Sequence, residues 1–176
     1  MAYGDQPCEG PPGPWASWGE PMVVALDLAR LAADQGEIPV GCLVLDERGV
    51  IVGQGANGSI VGHDPTAHAE ILAIRQAAAA TSNYRIPGCV VVSTLEPCLM
   101  CLGAMIHARI AGLVYAAPDP RTGTVTSRLR GHELSWTNHR FWVVSNILAD
   151  ESSALLKAFF HSRRSALGGS PSSTER

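Results

Sequence analysis

Two short motifs, far apart in the chain, restrict the possible folds more than any other feature of the sequence. The first contains His68 and Glu70, and the second is Pro97-Cys98-Leu99-Met100-Cys101, in which Cys98 follows Glu70 by 28 residues. One histidine and two cysteines are zinc ligands, and an ion bound by three protein ligands keeps a position for water, as a catalytic zinc does. The fold therefore has to bring both motifs to one point.

The spacing within each motif predicts that both segments begin helices. Side chains two residues apart point about 160° away from each other on a helix, so His68 and Glu70 cannot face one ion from a helix interior. Cys98 and Cys101 are three apart and share a helix face, while Pro97 suits the first helical position. A helix N-terminus also favours thiolates, the form of cysteine that binds zinc.

The net charge of a zinc ion bound by two thiolates indicates a role for Glu70, the acid of the first motif. Two thiolates cancel the two charges of zinc, so water bound there is less acidified than in an all-histidine site, where its pKa falls to about 7. A general base is then required. We expect Glu70 to take the proton of that water.

Two other interpretations of these motifs stay open. A pair of cysteines separated by two residues is also typical of redox sites and zinc knuckles, although a redox site has no use for the upstream His-Ala-Glu. A closed structural zinc site needs a fourth ligand. His63 or His107 could supply it, but neither has a natural spacing for that role.

Length and composition indicate a single globular domain. The chain has 176 residues, 46% of them hydrophobic and 16% charged. No apolar run approaches the ~18 residues of a membrane span, and no signal peptide is evident, so we expect no membrane association and a cytoplasmic protein. Residues 1–19 and 165–176 are predicted to be a disordered extension and tail, because they are rich in proline, glycine and small polar residues.

Apolar periodicity predicts an α/β fold. Helices are expected over 21–35, 66–80, 98–109 and 150–163, and strands over 40–45, 50–52, 89–94, 113–116 and 140–145. The first two strands form a hairpin, and the later strands alternate with helices, which implies a mixed sheet covered on both faces, a three-layer α/β/α arrangement. Both motifs then start at the same sheet edge.

From about residue 20 to 164 the sequence resembles the bacterial tRNA-specific adenosine deaminases of the cytidine deaminase-like superfamily. The two motifs match the metal motif of zinc-dependent base deaminases. Further matching stretches are Glu37-Ile38-Pro39-Val40-Gly41, His63-Asp64-Pro65-Thr66, Gly103-Ala104-Met105-Ile106-His107, Thr122-Gly123 and Asn138-His139-Arg140.

The resemblance implies a fold, an activity and a cofactor. The fold is cytidine deaminase-like, with a five-stranded sheet between helices. The activity is conversion of adenosine to inosine at the wobble position of a tRNA anticodon, by a homodimer with one zinc ion per subunit. For this activity we expect Glu70 to deliver the water's proton to a ring nitrogen of the base, and later to protonate the departing amine as hydroxide adds to the ring carbon.

The resemblance also assigns residues that contact substrate. Asn57 resembles the residue that hydrogen-bonds the target purine, although Asn57-Gly58 is equally a strong turn signal. Asp119 resembles a residue beside the ribose, and its alternative is a solvated turn acid. His63 is included among the substrate contacts. The end of the last helix, which helps to hold the anticodon loop in the family, is matched by Phe159, Phe160, Arg163 and Arg164. Helical spacing makes Phe159 a candidate core residue instead.

The charge distribution bears on the RNA prediction. The net charge is −3, which is unusual for an RNA-binding protein. It is uneven, however: residues 1–47 carry eight acids against one arginine, a balance of −7, and residues 107–140 carry five arginines against two acids, a balance of +3. A local basic face is therefore possible, although ordinary surface ion pairs would use the same arginines.

Two departures from the resemblance concern RNA binding and not the chemistry. The loop after Asn57 lacks basic residues, and residues 124–137 follow the family pattern poorly. A deaminase of a free base or nucleoside, such as guanine or cytosine, is the main competing function. An inactive zinc-stabilised partner protein is a third, although such a protein has no role for Glu70.

Overall fold

The central sheet begins with the hairpin that the sequence predicts. The structure, a computed structural model, describes residues 10–167. Its strands β1 (Gly41–Leu45) and β2 (Ile51–Ala56) pair antiparallel. The turn between them closes on Asp46, whose carboxylate accepts hydrogen bonds from the backbone N–H groups of Arg48 and Val50, both at 2.9 Å.

Three further strands and four helices complete the fold. The strands are β3 (Val90–Leu95), β4 (Gly112–Ala117) and β5 (Trp142–Val144), and the helices are α1 (Gly19–Asp34), α2 (Ala69–Ala80), α3 (Leu99–Ala108) and α4 (Ala149–Leu167). The sheet order is β2-β1-β3-β4-β5, with β1 antiparallel to both neighbours and β3, β4 and β5 parallel. The predicted mixed five-stranded sheet is confirmed.

The sheet is covered on both faces because its inner strands are apolar on both faces. Along β1, Cys42 and Val44 belong to one buried cluster and Leu43 and Leu45 to another, as the two-residue period of a strand requires. The first cluster lies under α2 and α3, and the second lies under α1 and under Ile147 and Leu148, which immediately precede α4. This is the predicted three-layer α/β/α arrangement.

Helix α2 approaches the sheet so closely that two residues of β2, Gly53 and Gly55, must be glycines. A Cβ atom on Gly55 would lie 2.3 Å from the backbone oxygen of Ala69. The first residue of α2 therefore rests directly on β2. The position of the helix start, and with it that of His68, is set by backbone contact with the strand.

The ordered part of the chain is longer than the sequence indicated. Residues 10–18, which we expected to be disordered, form turns in which Trp15 donates a hydrogen bond to the Gly49 carbonyl at 2.8 Å. Trp18 is buried against Trp142, with ring centroids 5.8 Å apart. Helix α4 continues to Leu167, beyond the expected domain end at 164. The remainder of the predicted extension and tail, 1–9 and 168–176, lies outside the described residues.

Within residues 10–167, none of the helices has both the length and the apolar character that a membrane crossing requires.

Candidate active site

The two sequence motifs meet at one edge of the sheet. Strands β2, β3 and β4 all end there, and α2 and α3 begin there. His68 is the N-cap of α2 and Cys98 is the N-cap of α3, both with extended backbone (ψ of 150° and 174°). The helices thus start slightly later than predicted. Pro97 precedes the cap and does not occupy the first helical position, because Cys98 needs the extended conformation of a cap residue.

The three candidate ligand atoms lie as far apart as tetrahedral zinc requires. The Nδ1 atom of His68 is 3.7 Å from the Sγ atom of Cys98 and 3.6 Å from that of Cys101, and the two sulfur atoms are 3.6 Å apart. Zinc bonds of ordinary length at tetrahedral angles separate nitrogen from sulfur by about 3.6 Å and sulfur from sulfur by about 3.8 Å. The residues present therefore fit a zinc ion.

No fourth protein ligand joins this cluster within residues 10–167. The metal-binding group consists of His68, Cys98 and Cys101 alone. His63 and His107, the alternatives considered from sequence, are both exposed at the surface and belong to no such group. A set of three ligands leaves one coordination position open, as in hydrolytic zinc sites.

Glu70 lies in the first turn of α2 and is only 4% exposed. Burial raises the pKa of its carboxyl group to about 7, and the negative charge of Cys98 acts in the same direction. The hydrogen bond between the two sulfur atoms lowers the pKa of the Cys98 thiol to about 4 and raises the pKa of the Cys101 thiol. The site thus combines a ready thiolate with a carboxyl group that exchanges a proton near neutral pH.

A cavity of 680 Å³ opens beside this cluster. Its lining includes Asn57, His68, Glu70, Cys98 and Asp119. The volume lies within the range of pockets that hold small organic ligands. Two of the candidate ligands, His68 and Cys98, and the candidate base Glu70 therefore face a space large enough for a purine.

Asn57 lines the cavity, but the oxygen of its side-chain amide already accepts a hydrogen bond within the protein. Its Oδ1 atom accepts a hydrogen bond from the backbone N–H of Ala69 at 2.9 Å, and the side chain is 8% exposed. Asn57 therefore helps to fix the start of α2 beside His68. The NH₂ group of Asn57 forms no hydrogen bond within residues 10–167. A bound substrate could therefore accept a hydrogen bond from it.

Asp119 also lines the cavity, and its carboxylate closes a turn. It accepts a hydrogen bond from the backbone N–H of Arg121 at 2.9 Å and one from the Thr122 hydroxyl at 2.5 Å. These contacts match the turn acid that sequence left as the alternative. If Asp119 also accepted a hydrogen bond from a ribose, its carboxylate would have to make that contact in addition to these two.

The residues expected to hold RNA separate into two groups. Arg164 lines the cavity, whereas Arg163 donates to the Gly36 carbonyl and stacks over Phe159, with 5.3 Å between the guanidinium carbon and the ring centroid. His63 is exposed and lies outside the cavity lining. Arg163 therefore ties α4 to the end of α1.

Sequence reasoning missed Lys157 in the cavity wall. It lines the cavity together with Phe160 and Arg121, which were noted in the sequence. Lys157 lies on the same helix as Arg164, seven residues before it, so helical periodicity applied to that segment would have found it. Glu96 also lines the cavity, and only its position immediately before the Pro-Cys motif could have drawn attention to it.

Comparison with known proteins agrees with this geometry. The profile of the cytidine and deoxycytidylate deaminase zinc-binding region matches residues 19–117. A tRNA-specific adenosine deaminase of Haemophilus influenzae is 47% identical over 143 residues, 81% of this chain and 83% of that protein. A solved structure described as a tRNA:A34 deaminase, which acts at the wobble position, superposes with a TM-score of 0.74 and 38% identity, over 77% of this chain and 97% of that one.

A guanine deaminase from Bacillus subtilis is also similar, with 37% identity and a TM-score of 0.52 over 55% of this chain and 62% of that one. Its match covers less of both chains and superposes less well than that of the tRNA:A34 deaminase. The zinc-binding region, the close relatives and the solved structure together identify the family. The chain belongs to the tRNA-specific adenosine deaminases, zinc-dependent enzymes with the cytidine deaminase-like fold.

Proposed function

We propose that the protein hydrolyses adenosine to inosine at the wobble position of a tRNA anticodon arm. One observation carries the proposal: the ligand atoms of His68, Cys98 and Cys101 converge within 3.7 Å of one another beside a buried carboxyl group and a cavity. The family to which the chain belongs supplies the substrate class.

The residues of the site divide the chemistry between them. When bound by the three ligands, zinc supplies the Lewis acidity that activates water for attack on the amidine carbon of the base. Glu70 takes one proton from the attacking water and donates it to the ring nitrogen beside the carbon. It then takes the second proton of that water, now a hydroxyl group on the carbon, and donates it to the departing amine, which leaves as ammonia. Its burial excludes bulk solvent from these transfers.

Several side chains at the cavity suit an RNA substrate. Arg121, Lys157 and Arg164 are cationic and exposed, and Phe160 is 43% exposed on the same helix as Lys157. Cationic groups neutralise phosphates, and an aromatic ring stacks on a base that is turned out of its loop. These residues would hold an anticodon loop while one nucleotide enters the cavity.

We also propose that the protein acts as a homodimer in the cytoplasm. Large apolar side chains are exposed on α3 and in the segment that packs on it: Leu99 is 64%, Leu129 is 38% and Trp136 is 78% exposed. Exposed apolar side chains of this size support a protein interface. Because α3 carries Cys101, such an interface would lie close to the site.

Hydrolysis of a free base is the second candidate, favoured by the likeness to guanine deaminase and by the net charge of −3. One experiment separates the two. The zinc-loaded protein is incubated with an anticodon stem-loop bearing wobble adenosine, and separately with guanine, cytidine and adenosine. We expect inosine in the stem-loop and no conversion of the free compounds.

Glu70→Gln is the matched control, because it keeps the shape of the side chain and removes the proton acceptor. We expect it to retain one zinc per subunit and to lose about 10²- to 10⁴-fold in turnover. Conversion of a free base alone would contradict the RNA proposal. Full turnover by zinc-loaded Glu70→Gln would contradict the role of Glu70.

A further inference from the structure

A second buried carboxylate lies at the same edge of the sheet, immediately before the cysteine motif. Glu96 is 2% exposed. Its Oε1 atom accepts hydrogen bonds from the backbone N–H groups of Val125, Thr126 and Ser127 at 3.0, 2.7 and 2.9 Å. Its Oε2 atom accepts a hydrogen bond from the N–H group of Asp119 at 2.9 Å. The hydroxyl of Ser127 also donates to Oε2.

These donors come from one stretch, residues 119–127, which we call the wall segment. Glu96 forms no salt bridge within residues 10–167. Its charge is instead held by backbone dipoles, in the way that a nest of N–H groups holds an anion. The wall segment is therefore folded around the carboxylate.

Gly123 allows the wall segment to lie this close to the carboxylate of Glu96. A Cβ atom at Gly123 would lie 2.4 Å from the carboxyl carbon of Glu96. Only glycine leaves room for the carboxylate inside the loop. The Thr122-Gly123 pair noted in the sequence thus belongs to the same arrangement.

Glu96 connects the wall segment to the cysteine motif. The carbonyl oxygen of Pro97, the residue after Glu96, accepts two hydrogen bonds from Thr124, one from its backbone N–H group at 3.0 Å and one from its side-chain hydroxyl at 3.2 Å. The next residue is Cys98. At the other end of the wall segment, Asp119 and Thr122 line the cavity.

We propose that Glu96 is a positioning residue, which holds the wall segment of the cavity at a fixed distance from the cysteine ligands and so orients the substrate. It touches no reacting atom in this role. This inference rests on the proposed function for the identity of the substrate. The positioning role itself rests on the hydrogen bonds and distances around Glu96. A purely structural role would stabilise the fold without changing how substrate binds.

The test compares Glu96→Gln with the wild-type enzyme. The amide has the shape of the carboxylate, but its NH₂ group faces backbone donors and cannot accept from them. We expect one zinc per subunit, backbone amides of 125–127 that exchange hydrogen about tenfold faster, a KM for the stem-loop about tenfold higher, and a kcat within about threefold of wild type.

Two further variants keep the test decisive if Glu96→Gln folds poorly. Ser127→Ala removes one donor and leaves the carboxylate in place, so KM should rise by a smaller factor, about threefold. Trp15→Phe removes the hydrogen bond to Gly49 at the opposite edge of the sheet. It should lower the melting temperature and leave KM unchanged.

Three outcomes would overturn the positioning role. The first is faster amide exchange in Glu96→Gln with an unchanged KM. The second is a lower kcat at unchanged KM in a Glu96→Gln preparation that retains one zinc per subunit. The third is a KM change in Trp15→Phe equal to that in Glu96→Gln. If wild type converts a free base and not the stem-loop, the proposed function fails, and the same KM comparison on that base still tests the role of Glu96.

Discussion

Glu70, the proposed general base, contributes unfavourably to stability when it is ionised, because its carboxyl group is buried. In the metal-free protein, burial raises its pKa to about 7, compared with 4.5 for an ordinary glutamate. The folded state therefore binds the proton more tightly than the unfolded chain. The stabilisation from this proton is complete below pH 4.5 and is lost as pH rises through 7.

We expect the free energy of unfolding of the metal-free protein to fall by about 3 kcal/mol from this group between pH 4.5 and 8. Glu70→Gln cannot ionise, so its unfolding free energy should lack this decrease. Urea unfolding of both chelator-treated proteins across this range measures the difference. Curves that stay parallel across the whole range would show that the pKa of Glu70 is not raised.

The residues of the site differ in how far sequence could predict them. His68, Glu70, Cys98 and Cys101 were proposed from residue type, local spacing and the match to a known metal motif, because each pair belongs to one helix start. The role of Glu96 could not be read in this way, because its hydrogen-bond donors lie 23 to 31 positions further along the chain. Their backbone N–H groups leave no pattern in the side-chain sequence.

At the scale of elements, the start of α2 depends on a glycine in the neighbouring strand. Gly55→Ala would place a methyl group 2.3 Å from the Ala69 carbonyl and push α2 away from the sheet. We expect a loss of about 1–3 kcal/mol in stability and about ten- to 100-fold weaker zinc binding, because His68 moves with the helix. Urea unfolding and competition with a zinc chelator measure the two effects.

Gly103→Ala is the matched control for this prediction. Gly103 lies inside α3, and a Cβ atom there would meet no atom within 4 Å. Alanine is a better helix former than glycine by about 1 kcal/mol, so this variant should be slightly more stable, with unchanged zinc affinity. Equal behaviour of the two alanine variants would show that close approach at Gly55 does not position the site.

The elements themselves were predicted well because their apolar periods are strong. Every predicted helix and strand is present, and the largest shifts at element starts and ends are of three to four residues. Helix α2 was expected from residue 66 and begins at Ala69, because the extended cap at His68 is set by tertiary contacts that a periodic pattern does not contain. Residues 10–18 were misjudged for a related reason: Trp15 and Trp18 find partners at Gly49 and Trp142, far along the chain.

For the whole molecule, the proposed RNA binding depends on where the cations lie, because the cavity is lined by three cations beside the acids Glu70, Glu96 and Asp119. The net charge of −3 predicts weak attraction to RNA. Asp46, however, pairs with Arg48 on the hairpin turn, at the opposite edge of the sheet from the cavity. The cationic side chains of Arg121, Lys157 and Arg164 line the cavity, and no salt bridge within residues 10–167 includes any of them.

Salt dependence tests whether this local charge binds RNA. Each cation that contacts a phosphate releases a counterion, so the logarithm of KM for the stem-loop should rise with the logarithm of salt concentration, by about 0.7 for each contact to a single strand. Lys157→Gln and Arg164→Gln should each raise KM and reduce the slope by about that amount. Arg48→Gln, at the far edge of the sheet, should leave both unchanged. A wild-type slope near zero, or equal slopes in all three variants and wild type, would show that the acidic total and not the cavity cations governs how RNA approaches the site.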